Sequence, residues 1–332
     1  MFYQYVHNLR GLAILLVISA HVISVVPFSN SEFADVIRSL LRNCTVIFVL
    51  IGGWLFSYLV SKYTYKSYLV NKLQKVVIPY MVISLPALAI YLLGYKSAHP
   101  WVDLAALKES YGLIGQTLYF LFTGAHLGPL WFMPMVFLFY LAFPIFKALS
   151  SSRYLPLVIV LALIPALYLG RPLANDNTLQ SFFYFLPVWL MGMAIFHHKV
   201  MYQSLSRYFY LYFFFFLVLL TSIYFIWEWD SRVDLLLKIA IGVMLFSGFY
   251  RLANSPNRFL GLMADLSFYL FFIHGYFMAV FRALFAKFTF LPQDILGFII
   301  VFILVLSLSV MSFYCFRFFL KSRTGTLLGA YR

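Results

Sequence analysis

The chain is poor in charge, poorer in acids and almost without cysteine. Of its 332 residues only 10% are charged, against about 25% in soluble domains, so it cannot clothe a core of its size in a solvated surface. That excludes a soluble enzyme. It also excludes a soluble nucleic-acid binder, despite a net charge of +14. Two cysteines, Cys44 and Cys315, supply neither a metal-ligand spacing nor the framework of a disulfide-stapled secreted domain. Strict alternation of apolar and polar residues is missing too, which excludes a membrane β-barrel. What the chain has instead is 64% hydrophobic residues, including 39 Phe and 25 Tyr. They are gathered into recurrent apolar runs of about 18 residues or more, each enough to cross a hydrocarbon core.

These features predict an all-α polytopic membrane protein in one domain, residues 1–332, with no soluble domain. Hydropathy punctuated by Pro, Gly and charge places ten spans near 9–27, 44–61, 76–95, 129–149, 154–170, 181–197, 207–228, 233–250, 265–287 and 295–320. The first run starts at Leu12 without a small-residue cleavage site behind it, and so reads as a span rather than a cleaved signal. With both termini inside, the inner loops and ends hold fifteen cations and one acid, Asp265, leaving nine of each outside. The Lys/Arg bias therefore favours N-in, C-in, and Cys44 and Cys315 fall at opposite faces. The acids Glu228, Asp230 and Asp234 lie at the outer boundary and read as solvated loop charges.

Ionisable groups inside spans are costly and point to function. Arg10 and His21 in the first span are eleven residues apart, within about 20° of three whole turns and about 16 Å along the axis. One helix face therefore carries an arginine at the inner rim and a histidine past mid-membrane. Lys72 and Lys75, at the inner entry to the third span, suit either lipid phosphates or the phosphates of a soluble cofactor, and spacing alone does not choose. Around His126 the run Gly124-Ala-His-Leu-Gly-Pro-Leu-Trp-Phe-Met-Pro134 cannot continue a regular helix. Residues 113–128 are therefore predicted to form a re-entrant or interfacial element on the outer side, of the kind tolerated where backbone is buried or lines a cavity. In span nine, His274 at the end of Ser267-Phe-Tyr-Leu-Phe-Phe-Ile-His274 reads equally as packing or as a site wall. His197 and His198 read as surface residues.

Taken in order, these stretches resemble the acyltransferase-3 family of integral membrane O-acyltransferases. The opening Leu9-Arg10-Gly11-Leu12-Ala13-Ile14 with His21 is similar to the family's first-span pattern, and Phe48 to Phe56 to its second-span F-x-x-S-G-x-L-F. Lys72 to Pro79 resembles its basic-then-Pro segment, Leu130-Trp131-Phe132 its LWF, and 267–274 its S-x-x-x-Y-L-x-H. The chain departs from the pattern at His7, where an acid is usual, at Gly52 in place of Ser, and in using Lys where Arg is common.

The resemblance implies transfer of an acetyl or other small acyl group from cytoplasmic acyl-CoA to a hydroxyl of a cell-surface polysaccharide, a lipopolysaccharide or a lipid-linked precursor, in a bacterial inner membrane. His21 would be general base or transient acyl carrier, aided by Arg10. Arg10, Lys72 and Lys75 would hold acetyl-CoA, and His126, Trp131, Tyr269 and His274 would line the acceptor side. No metal and no nucleic-acid partner is expected; membrane lipids are, and other polysaccharide-assembly proteins are conceivable partners. Two rivals are a polysaccharide or lipid-linked sugar exporter using His21 as a proton relay, and a non-catalytic assembly factor.

Overall fold

The computed structural model describes residues 3–29, 31–172, 176–226, 230–288 and 291–330; Glu228 and Arg332, which entered the charge reading above, lie outside them. All regular structure among the described residues is helical. In chain order the α-helices are α1 (Gln4–Val22), α2 (Ser31–Leu41), α3 (Thr45–Leu59), α4 (Tyr65–Lys72), α5 (Ile78–Leu92), α6 (Leu104–Ser110), α7 (Leu113–Thr123), α8 (Phe132–Leu141) and α9 (Phe143–Ser150). They continue with α10 (Leu155–Leu169), α11 (Thr178–His197), α12 (Lys199–Arg207), α13 (Phe209–Ile226), α14 (Ser231–Leu252), α15 (Arg258–Asp265), α16 (Ser267–Lys287), α17 (Ile295–Leu320) and α18 (Thr324–Leu328).

Among the described residues seven helical stretches are long and apolar enough to cross a membrane: 4–22, 34–62, 65–92, 178–197, 231–252, 267–287 and 295–328. An eighth is a broken pair, 113–123 with 128–141, bent by 77°. Two more, 155–169 and 209–218, are apolar but shorter. The protein is therefore a multi-pass helical membrane protein. Each of the ten predicted segments coincides with one of these helices, but three fall short of an unbroken span. Backbone chemistry explains the bent pair: Gly124 ends α7 in the left-handed region (φ 70°), and Pro129 and Pro134 restart the chain in a new direction. The predicted fourth span also breaks at Ala142, between α8 and α9.

Two close approaches build the centre. A methyl group added at Gly53 would meet the Trp189 carbonyl, and one at Gly192 would meet the Leu50 carbonyl. So α3 and α11 touch backbone to backbone, the packing that small residues permit in membranes. Gly52, where the family pattern has Ser, lies against the Trp189 ring at 2.8 Å from such a methyl. Overpacking of this kind costs about 1–3 kcal/mol. Gly192→Val is expected to lower the thermal midpoint and the yield of monodisperse protein on size exclusion, whereas an unchanged midpoint would contradict the contact.

At the other approach Gly11 of α1 faces the Leu260 carbonyl of α15. Buried Asn8 fastens the same junction, donating from Nδ2 to the carbonyls of Ala253 (2.7 Å) and Ser255 (2.9 Å). The first-span motif thus locks α1 onto α15 and the chain before it.

Candidate functional site

The clamp between α1 and α15 sets the position of Arg10. Its Nε donates to the Ala264 carbonyl at 3.0 Å and its Nη2 donates to the same oxygen. Next to Ala264, Asp265 lies 3.4 Å from His7 Nε2 and acts electrostatically on Arg10. Asp265 thus brings an acid of α15 to the side of α1 that carries His7 and Arg10. Arg10 also borders a cavity of about 210 Å³ between α1 and α3, walled by Tyr3, His7, Trp54 and Tyr58 among others. That is below the 300–1,000 Å³ usual for ligand pockets, so the cavity holds at most part of a large ligand.

Three turns up α1, His21 meets His274 of α16, with ring centroids 5.4 Å apart and planes tilted by 47°. His274 is fully buried. Its Nδ1 lies 2.8 Å from the Leu270 carbonyl, which can only accept, so Nδ1 carries the proton and Nε2 keeps its lone pair. That Nε2 is buried with no hydrogen-bond partner, an arrangement native interiors rarely leave without a reason. The open choice for His274 between packing and site wall turns on this atom.

The remaining candidates are placed elsewhere. Both ring nitrogens of His126 are engaged, Nδ1 with the Phe120 carbonyl at 2.9 Å and Nε2 with Ser84 Oγ at 2.8 Å. It pins the bend between α7 and α8, which is further held by Tyr80 Oη donating to Leu121 O and Thr178 Oγ1 donating to Phe122 O. His126 thus holds the bend through both ring nitrogens. Trp131 is buried, stacked on Phe185 at 5.9 Å with Arg171 over its ring at 5.2 Å. Its ring is engaged by Phe185 and by Arg171. Tyr269 spends its hydroxyl on Ser312 of α17 at 2.7 Å. Five residues from His274, it lies about 140° around the helix and does not join the wall.

Arg10 and Lys72 occupy separate aromatic settings. Lys72 Nζ sits between the rings of Tyr68 (5.2 Å) and Tyr140 (4.8 Å), a cation–π cradle. Lys75 falls in a π-helical turn, Leu73–Val77, and is exposed. Lys75 still acts electrostatically on Lys72 across this wider turn.

Sequence reading missed a polar cluster at the His21 end. Asp234, expected to be a solvated loop charge, is 3% exposed in the first turn of α14. The α2–α3 interruption brings Asn43 (φ 60°) to it, and α11 brings Tyr184. Asn43 Nδ2 donates to Tyr184 Oη at 2.9 Å, and Tyr184 in turn donates to the Ser231 carbonyl at 2.8 Å. Lys238, one turn on from Asp234, caps α2 by donating to the Leu40 and Ser39 carbonyls. Arg171, Lys238 and Arg42 all act electrostatically on Asp234. Arg171 acts on His21 as well, as does Arg282 of α16.

A smaller device holds the bend from outside. His99, in the loop after α5, lies 2.9 Å from the Ala125 carbonyl through Nε2, while Nδ1 accepts from the amides of Trp101 and Val102 at 3.0 Å each. Partial burial, chiefly, holds its pKa below the ordinary 6.5, so the fold favours the neutral ring. Its stabilising contribution is complete above pH 6.5 and is lost as pH falls toward the depressed value, because only the unfolded form takes up the proton readily. Protection factors of the amides around 99–102 and 125, taken relative to the intrinsic exchange rate at each pH, are expected to fall below pH 6.5 in the wild type and to lose that pH dependence in His99→Gln.

Among the described residues no group of three His, Cys, Asp or Glu could hold a metal ion, and Cys44 and Cys315 are unpaired.

Fold and site together define a helical membrane protein with a histidine pair, half-buried His21 and fully buried His274, between its first span and α16. A family model described as an acyltransferase domain, of the acyltransferase-3 type, matches residues 3–314. The chain therefore belongs to the acyltransferase-3 family and is a membrane acyltransferase. No curated protein and no solved structure matches it.

Proposed function

We propose that the protein is an O-acyltransferase of the bacterial inner membrane, moving an acetyl or other small acyl group from cytoplasmic acyl-CoA to a hydroxyl of a cell-surface glycan or its lipid-linked precursor. The observation that carries this reading is the His21–His274 pair within an acyltransferase-family chain. His21 takes the proton from the acceptor hydroxyl as its oxygen attacks the thioester carbonyl. The carbon–sulfur bond breaks, an ester forms, and the proton passes from His21 to the departing CoA thiolate. Transient acylation of His21 divides the same chemistry into two steps. His274 Nε2 is a lone pair suited to accept from a ring N–H of His21, orienting its other nitrogen toward the reactants.

At the end of α1 opposite His21, Arg10 is fixed by Ala264 and offers charge to the phosphates of CoA, with Lys72 and Lys75 as further cations on the same side of the chain. Lysine serves there as a point charge rather than a bidentate partner. The test is acetyl-CoA binding to detergent-purified protein. Arg10→Ala is expected to weaken it about tenfold, the size of one lost charge-assisted hydrogen bond, with Lys72→Ala behaving alike. Unchanged affinity in both would remove these residues from the donor site. No acetyl-CoA binding by folded wild type would favour the exporter reading.

A further inference from the structure

The corner where α12 turns into α13 and leans on the end of α14 carries a second cavity. It measures about 550 Å³ and is lined by Gln203, Ser206, Arg207, Tyr250 and Arg251. That size falls among ligand pockets, but every lining residue here carries a polar group where such pockets are mostly apolar. The cavity therefore suits a charged group. Tyr250 meets Tyr5 of α1 with ring centroids 5.5 Å apart, which sets the cavity at the Arg10 end of the protein. It shares no lining residue with the cavity beside Arg10.

Arg251 is held ready for a ligand. Its Nη1 donates to the carbonyls of Ser206 at 2.7 Å and Arg207 at 3.0 Å, at the end of α12. Its guanidinium carbon lies 5.2 Å from the centre of the Tyr210 ring. Among the described residues Nε and Nη2 have no hydrogen-bond partner. That edge is a fork of parallel donors, the one that takes a phosphate in bidentate fashion. Arg207 brings a second guanidinium to the same cavity and is exposed. Among the described residues neither arginine forms an ion pair. The acid expected at this end, Asp265, lies against His7. Two cations gathered at one cavity without an acid draw an anion to it.

The surface next to the cavity says which anion. Phe209, the first residue of α13, packs on Gly248 of α14, with its ring 2.7 Å from a methyl group added there. Beyond it Tyr210, Leu211 and Phe214 are each more than half exposed. A polar seat thus adjoins an apolar wall on a membrane-crossing chain, the arrangement that holds a lipid by headgroup and tail together.

We propose that this cavity seats the phosphate of an anionic membrane lipid, between the Nε–Nη2 edge of Arg251 and the guanidinium of Arg207, with the acyl chains against α13. The proposal does not depend on the acyl-transfer assignment.

The test is native mass spectrometry of the detergent-purified full chain with phosphatidylglycerol and with phosphatidylcholine. Wild type is expected to bind phosphatidylglycerol about tenfold more tightly, the size of one charge-assisted hydrogen bond. Arg207→Gln removes no ion pair and should cut that preference several-fold at an unchanged thermal midpoint. Arg251→Lys keeps the charge but lacks the fork, and should lose most of the preference. Lys66→Gln, which removes an exposed cation of α4, should keep it. A preference that survives both arginine variants would overturn the proposal. So would an equal fall in Lys66→Gln, which would show diffuse surface charge in place of a seat. Displacement of phosphatidylglycerol by acetyl-CoA or by inorganic phosphate at constant ionic strength, lost in Arg207→Gln, would give the cavity to a soluble phosphate and overturn the lipid.

Discussion

His21→Ala is expected to lower acyl transfer about a thousandfold, within the range that a positioned general base contributes, while acetyl-CoA still binds. The fold should survive, because α1 is held elsewhere: by Asn8 on Ala253 and Ser255, by Arg10 on Ala264, and by the close contact of Gly11 with α15. His21 stands at the last turn of α1, beyond those anchors. Thermal midpoint and size-exclusion profile should match wild type. A variant that folds and transfers at the wild-type rate would end the assignment of His21 to chemistry.

Substitution of His274 is expected to cost about a hundredfold in kcat, and the choice of replacement separates chemistry from packing. His274→Phe keeps the ring and its contacts with Phe271 but loses both nitrogens. His274→Asn retains an amide placed like Nδ1, able to donate to the Leu270 carbonyl, and lacks Nε2. His274→Gln places a polar group nearer the Nε2 position. If the Nε2 lone pair orients His21, Phe and Asn should both be slow, with Gln intermediate. A packing residue would tolerate Phe, and one needed only for its bond to Leu270 would tolerate Asn.

Much of the membrane architecture was legible in the apolar runs, because about 20 apolar residues have few alternatives to a helix in lipid. The break around residues 124–134 was legible for a similar reason, since two glycines and two prolines cannot be threaded through a regular helix. The π-turn at Leu73–Val77 was not, because nothing in Leu-Gln-Lys-Val-Val distinguishes it from an α-helical turn. Arg10, His21 and His274 stood out as ionisable groups in apolar segments, and the structure sets His21 beside His274. Tyr269 could have been set apart from His274 by its five-residue offset alone.

Asp234 and Arg171 were harder to read. Both lie at span boundaries, where hydropathy treats a charge as solvated, and only the packing of α2, α3, α11 and α14 buries the acid. Trp131 and His126 were found by motif, yet their polar and aromatic surfaces are taken up inside the protein. Proximity along the chain to a broken helix marked a real feature, the bend that His126 holds.

The most direct measurement is release of free CoA from acetyl-CoA by detergent-purified protein supplied with a glycan acceptor, wild type beside His21→Ala at matched folded concentration. CoA release by the wild type that falls about a thousandfold in the variant is the expected result. Equal release from both proteins, or none from a folded wild type that binds acetyl-CoA in the presence of its acceptor, would contradict an acyl-CoA-dependent reaction at this histidine.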